Sequence, residues 1–335
     1  MIHRAFFDDY ERPSVIHLGA NIYAAQFRLM KLMPARYMLD RALERGELKP
    51  GGHLVETSSG TFAMALAMLC AVRGYRLTIV SADSLMDKEL KVRLELLGAT
   101  VNLVNDEKRT GNQDGRLAAL REVLSRDPGA FWPRQYDNPE NPASYSRLAE
   151  IVADKIGRID CLVGCVGSGG SLTGTTRYLR LPFPTMRSIA VDTHNSVLFG
   201  QKAGPRLLRG LGNSIMPKNL DHTLVDEVHW VGAFQAFLAT RELYRHRALY
   251  VGPTSGAAAL VGQWYAAAHP DQTVMVVMPD EGYRYQSTVY SDEWLATQPG
   301  WPVSRRTEPT EVTNIAATGE SDWTSMVWSR NRLAA

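Results

Sequence analysis

Cysteine is scarce. Only Cys70, Cys161 and Cys165 occur in 335 residues, and each lies in an apolar segment. An odd number of thiols in core-like positions argues against a disulfide framework and for reduced thiols in a cytoplasmic protein. The eight histidines are scattered, and no Cys/His spacing matches a metal site, so no metal is expected. No apolar run is long enough to span a bilayer. The opening residues, Met1 to Asp9, carry acids where a secretory leader needs an apolar core. Charge of one sign is also missing: 37 Lys and Arg stand against 35 Asp and Glu, a net charge of +2. No basic run interleaves with aromatics, so a nucleic-acid partner is not expected. No Gly-Lys-Ser/Thr follows any glycine-rich turn, which excludes a nucleoside-triphosphate P-loop.

What is present is an ordinary globular balance, 45% hydrophobic and 21% charged, in a chain long enough for two domains. Apolar runs alternate with segments of helical spacing. Strands are expected at Val15–Leu18, His53–Glu56, Leu77–Val80, Val101–Val104, Cys161–Val166, Ile189–Val191, Glu227–Val231 and Thr273–Met278. Helices are expected at Met33–Arg45, from Thr61 to Val72, and at Asp87–Leu97, Arg116–Ser125, Tyr145–Ile156, Leu172–Leu179, Phe234–His246 and Ser255–Ala268. This alternation predicts an α/β fold with mostly parallel open sheets, helices on both faces, and two such layers with a cleft between them. The polar tail from Pro299, with isolated tryptophans, reads as an extension packed on the outside or against a partner.

The chain is organised around Val163–Gly174, where an apolar strand runs into Gly167-Ser168-Gly169-Gly170-Ser171 and then a helix. The free N–H groups and dipole of a helix start favour an anion. The glycines let the backbone close on it, and the serines add donors. A single compact phosphate suits this turn; a plain strand-to-helix turn is the other reading. Ser58-Ser59-Gly60-Thr61 is a second small-residue loop. Both loops follow predicted strands, where ligands of open α/β sheets sit.

Five segments combine into a specific pattern. They are a lysine before the first long helix, Glu56-Thr57-Ser58-Ser59-Gly60-Thr61, Gly167–Ser171, Gly252-Pro253-Thr254-Ser255-Gly256, and Pro279-Asp280-Glu281-Gly282-Tyr283-Arg284-Tyr285. From about Phe27 to Leu295 this resembles the fold-type II pyridoxal-phosphate enzymes, in the cysteine synthase and cystathionine β-synthase group. The resemblance implies two three-layer domains of the tryptophan synthase β type, with the cofactor, pyridoxal 5′-phosphate, in the cleft. The smaller domain would take 35–140, the larger 1–34 plus 141–298, and an extension 299–335. Homodimers are usual in the family.

Aligned through Met38–Gly46, Lys31 takes the family's Schiff-base position, with Leu32-Met33 where the family has Asp-Arg. Burial in its apolar run would lower its pKa and free the amine to attack an aldehyde. Gly167, Ser168, Gly169, Gly170 and Ser171 match the loop that holds the cofactor phosphate. Thr254 matches the hydroxyl residue at the pyridine nitrogen, with N-capping as its plain structural role. Ser58, Ser59, Gly60 and Thr61 match the loop for the substrate carboxylate. Thr61 replaces an asparagine that touches the cofactor ring. Gly210-Leu211-Gly212-Asn213 matches a segment lining the cleft.

Arg134 replaces a glutamine that faces the substrate, and an arginine fork suits a carboxylate or phosphate. Its plain alternative is a surface ion pair. Ser196–Gly200 resembles a stretch of the staphyloferrin B precursor synthase, which joins O-phosphoserine to glutamate. The implied reaction is β-replacement on an O-activated L-serine, with O-phosphoserine favoured over O-acetylserine and a sulfur nucleophile. An amine nucleophile giving a 2,3-diaminopropionate precursor and a serine/threonine dehydratase elimination are the alternatives.

Overall fold

A computed structural model describes residues 6–107, 111–208, 210–319 and 321–330. The chain divides into two compact units. One takes Leu29–Ser144 with the described part of the first eleven residues; the other takes Arg12–Arg28 and the chain from Tyr145 onward. The bounds expected from the resemblance put 1–34 and 141–144 with the larger domain; by contact, the described part of 1–11 and the stretches 29–34 and 141–144 fall in the first unit.

In chain order, helix α1 (Phe6–Tyr10) belongs to the first unit, and strands β1 (Ser14–Gly19) and β2 (Ile22–Gln26) to the second. The first unit continues with α2 (Leu32–Glu44), β3 (His53–Thr57), α3 (Thr61–Arg73), β4 (Arg76–Ala82), α4 (Lys88–Leu96), β5 (Thr100–Val104), α5 (Gln113–Arg126) and α6 (Glu140–Ser144). The second resumes with α7 (Ser146–Ile156), β6 (Cys161–Cys165), α8 (Gly170–Leu179), β7 (Arg187–Asp192) and β8 (Glu227–Val231). It ends with α9 (Ala233–Arg247), α10 (Pro253–Ala268), β9 (Val274–Met278), α11 (Asp292–Ala296), β10 (Thr310–Glu311) and β11 (Trp323–Val327).

The first unit is built on a parallel sheet, β3-β4-β5. Alternate residues of a strand face opposite sides. Leu54 and Ile79 enter a core with Met38, Leu39, Phe62 and Leu66 of α2 and α3. Their neighbours Val55 and Val80 pack under Leu120 of α5. Three layers result. Phe131 pairs beside β3: its N–H bonds the carbonyl of His53 at 2.8 Å, and its carbonyl accepts from Val55 at 2.9 Å.

The second unit carries an eight-stranded sheet ordered β1-β2-β9-β6-β7-β8-β11-β10. The five strands β2, β9, β6, β7 and β8 run parallel to one another. The chain leaves β6 toward β7 on one side, while β9 lies on the other, so β6 marks the topological switch point where such sheets bind ligands. Cys161 and Val163 face a core shared with α9 and α10, whereas Leu162 between them is buried outside that cluster.

Two features depart from the sequence reading. The expected strand at Val15–Leu18 is one arm of a hairpin whose other arm, β2, pairs with β9 inside the sheet. The tail is no exterior extension: β11 pairs antiparallel with β8 along five residues, and Trp323 and Trp328 are buried. Among the described residues no helix is long and apolar enough to cross a membrane, and no group of three or more His, Cys, Asp or Glu is placed to hold a metal ion.

Candidate active site

Four helices start on a glycine without a side-chain cap: α3 on Gly60, α8 on Gly169, α9 on Gly232 and α10 on Gly252. Ser, Thr, Asn or Asp normally fills that position and satisfies a first-turn N–H. Here glycine cannot do so, and at α10 the N–H of Ser255 bonds the main-chain carbonyl of Gly252 at 3.0 Å. Thr254 lies inside α10, past its capping position.

In the first unit, Lys31 stands immediately before α2, half-buried between Met30 and Leu32. Burial lowers its amine from the usual lysine range to about 8. Leu29, Met30, Leu32 and Met33 around it are buried, so the apolar run supplies the desolvation. At the end of β3, Ser58 is buried and its hydroxyl accepts weakly from the N–H of Gly60 at 3.5 Å. Ser59 and Gly60 are half-buried, and Thr61 is the first residue of α3.

Glu56, which the sequence reading passed over, organises this end of the sheet. One carboxylate oxygen accepts from Thr57 N at 2.8 Å and Trp132 Nε1 at 3.1 Å; the other accepts from Gln135 N at 3.3 Å. Burial raises its pKa to about 7 against those bonds and one from the main chain of Arg134. The segment holding Arg134 is thereby tied to the loop after β3. Arg134 itself is exposed, has φ +55°, and lies 3.9 Å from Asp137. The surface pair weighed for it is thus present. Exposed pairs contribute about 0–1 kcal/mol, little enough for a substrate anion to compete.

In the second unit the glycine turn follows β6. Gly169 has φ +79°, and a methyl group there would lie 2.6 Å from Leu220 Cα, so only glycine fits. Ser168 and Gly170 are buried; Gly167 and Ser171 are half-buried. The turn is held from above by the next glycine segment. Gly212 N donates to Val166 O at 2.9 Å, and Asn213 Nδ2 donates to Gly167 O at 3.1 Å. A methyl on Gly167 would lie 3.3 Å from Gly210 O, and one on Gly210 would lie 3.5 Å from Thr254 Cγ2. Gly167, Gly210 and Thr254 therefore meet, and the Thr254 hydroxyl is buried with no partner among the described residues. Such an orphan costs about 1–3 kcal/mol unless a ligand completes it. A glycine-only turn on an uncapped helix beside an unpaired hydroxyl fits a phosphate-bearing ring with a hydrogen-bonding nitrogen.

Two further buried carboxyls line the same sheet edge. Asp192 ends β7, its Oδ1 accepting from Thr193 N at 2.8 Å; burial raises its pKa to about 7. Asp280 follows β9, accepts from Tyr285 OH at 2.8 Å, and is raised to about 6, again by burial. Asp192 and Asp280 share one readable signal: an acid closing an apolar run at the carboxyl end of a parallel strand.

The family model "Pyridoxal-phosphate dependent enzyme" matches residues 29–280. An N-(2-amino-2-carboxyethyl)-L-glutamate synthase of Ralstonia nicotianae is 37% identical over 80% of this chain and 80% of its own length. Among solved structures, O-acetyl serine sulfhydrylase isoform 3 from Entamoeba histolytica has a TM-score of 0.79 at 25% identity, covering 87% of this chain and 92% of that one. O-ureido-L-serine synthase has a TM-score of 0.79 at 29% identity, covering 89% and 100%.

Proposed function

The chain belongs to the pyridoxal-phosphate dependent enzyme family, and from that premise we propose that it performs a β-replacement on an O-activated L-serine with an amine as nucleophile. One observation carries the site: the partnerless Thr254 hydroxyl, buried beside Gly210 and the glycine turn. The sulfur nucleophile expected from the cysteine synthase likeness is the weaker reading. The name of the Ralstonia synthase describes a glutamate nitrogen bonded to the β-carbon of an alanine unit. The bond made there is C–N, and glutamate is the amine proposed here.

When bound, pyridoxal 5′-phosphate supplies an electron sink for charge developing at the substrate Cα. The chain's residues supply the rest. Gly167, Ser168, Gly169, Gly170 and Ser171 hold the phosphate through first-turn N–H groups of α8 and two hydroxyls. Thr254 would offer the ring nitrogen a neutral hydroxyl. Lys31 would hold the aldehyde, and its free amine, poised near 8, can take a proton from Cα at neutral to mildly alkaline pH. Ser58, Ser59, Gly60 and Thr61 bind the substrate carboxylate at the uncapped start of α3, and Arg134 takes the phosphate of O-phosphoserine. A cytoplasmic homodimer completes the reading.

The test is a competition. Purified protein with cofactor is given O-phosphoserine and equal glutamate and sulfide, and products are identified by mass. The adduct of glutamate supports the proposal. Cysteine alone would restore the sulfur reading, and pyruvate alone an elimination.

A further inference from the structure

The family match ends at residue 280, yet the chain beyond it is built into the second unit. We propose that Ile315–Gly319, with β11 and Trp328, is a strap that positions the loop at 195–201 with Asn213 and, through it, the glycine turn of the cofactor site. This rests on the reading that Gly167–Ser171 hold the phosphate.

The strap is anchored on the sheet. All five residues of β11 pair with β8. Trp323 Nε1 donates to His229 Nδ1 at 3.0 Å, and Gly232 N donates to Asp322 O at 2.7 Å. From that base three contacts reach the loop. A methyl on Gly200, whose φ is +89°, would lie 2.5 Å from Ile315 Cδ1, so Ile315 is seated directly on the loop backbone. Gln201 bridges: its Nε2 donates to Thr318 Oγ1 at 2.6 Å, and its Oε1 accepts from Asn195 N at 2.7 Å. Phe199 meets Trp328 edge to face at 5.2 Å.

The loop then hands the constraint on. Buried Ser196 Oγ accepts from Asn213 N at 3.0 Å, and Val197 N donates to Asn213 O at 2.9 Å. Asn213 is the residue whose side chain holds Gly167 O. Tail, loop and turn thus form one hydrogen-bonded series, and Gln201, Ile315 and Thr318 are positioning residues that touch no reacting group.

The experiment titrates apo protein with pyridoxal 5′-phosphate, following cofactor fluorescence, alongside circular dichroism and turnover at saturating cofactor. The variants are Ile315→Ala with Thr318→Val, and separately Gln201→Ala from the loop side. Thr310→Ala, on the tail's outer strand, is the control for a general loss of stability. The dissociation constant should rise about tenfold in the first two and change less than about twofold in the control, with turnover recovering once cofactor saturates. If the double variant fails to fold, Gln201→Ala decides alone. Unchanged affinity in folded variants overturns the strap. Ser168→Ala with Ser171→Ala separates the two readings: weaker cofactor binding there, with no effect in the tail variants, sinks the strap and keeps the phosphate site. No effect in any of them sinks the phosphate site itself.

Discussion

Cys165, the last residue of β6, donates its thiol to the main-chain carbonyl of Thr254 at 3.0 Å. The bond fixes the first turn of α10 against the strand that leads into the glycine turn. It holds Thr254 where its hydroxyl finds no acceptor or donor among the described residues.

Thr254→Val tests the cost of that burial. The substitution keeps the shape and removes the orphaned hydroxyl. Apo protein should become more stable, by about 1 kcal/mol, because an unpaired buried polar group is gone. Cofactor affinity and turnover should fall. Urea unfolding of the apo form and a cofactor titration measure the two effects; a destabilised apo variant with normal affinity would remove Thr254 from the site. Opposite signs for stability and function are what a ligand-completed group produces.

Lys31 should carry the cofactor. Borohydride reduction of the holoprotein followed by peptide mapping should place the label on Lys31, and Lys31→Ala should abolish the visible absorbance band. Because the amine is held near 8, the neutral fraction falls about tenfold per pH unit below that value. The rate of cofactor uptake by apo protein should rise with the same slope from pH 6 to about 8 and then level off. A rise continuing to pH 10 would mean that the amine is not desolvated.

Much of this architecture is legible locally. The runs at Cys161–Cys165 and Val274–Met278 are apolar throughout because both faces of the strand are covered, and Gly167–Ser171 announces its turn by composition alone. Two elements escaped for reasons of distance. β2 reads Ile-Tyr-Ala-Ala-Gln; Ala24 and Ala25 have little strand preference of their own, and their place is set by pairing with β9, some 250 residues away. β11 lies in a polar tail and becomes a strand through β8, roughly 95 residues earlier. Glu56 was hidden differently. An acid in a five-residue strand reads as its solvent face, and only the return of Trp132 and Gln135 to β3 shows that the carboxylate is enclosed.

Glu56→Gln should reveal that enclosure through pH. The folded value is about 7 against an ordinary 4.5. Between those limits the folded chain holds the proton more tightly than the unfolded one. Stability contributed by this group is therefore present at low pH and lost as pH rises toward 7. Glutamine does not titrate. Between pH 5 and pH 8 the wild type should lose about 2.5 kcal/mol relative to the variant, read from urea unfolding of apo protein. The comparison across pH cancels any constant loss from the altered hydrogen bonds. Equal pH dependence in the two proteins would show that the carboxylate is solvated.

Arg134→Gln addresses the leaving group. The side chain is exposed and engaged only loosely, with Asp137 at 3.9 Å, so its removal should leave stability within about 0.5 kcal/mol of wild type. A bidentate arginine–phosphate contact is a charge-assisted pair, and its loss should lower kcat/KM for O-phosphoserine by roughly 10- to 100-fold. O-acetylserine has no dianion at that place, and its kcat/KM should move less than about threefold. The positive φ of Arg134 bears on the control. Glutamine is no more at ease in that conformation than arginine, so a backbone effect would reach both substrates through the Glu56 hydrogen bonds. Asp137→Asn separates the cases further: freeing the guanidinium from Asp137 should help O-phosphoserine and leave O-acetylserine alone. Equal losses with both substrates in Arg134→Gln would place the arginine in the loop's scaffold and leave phosphate recognition without a residue.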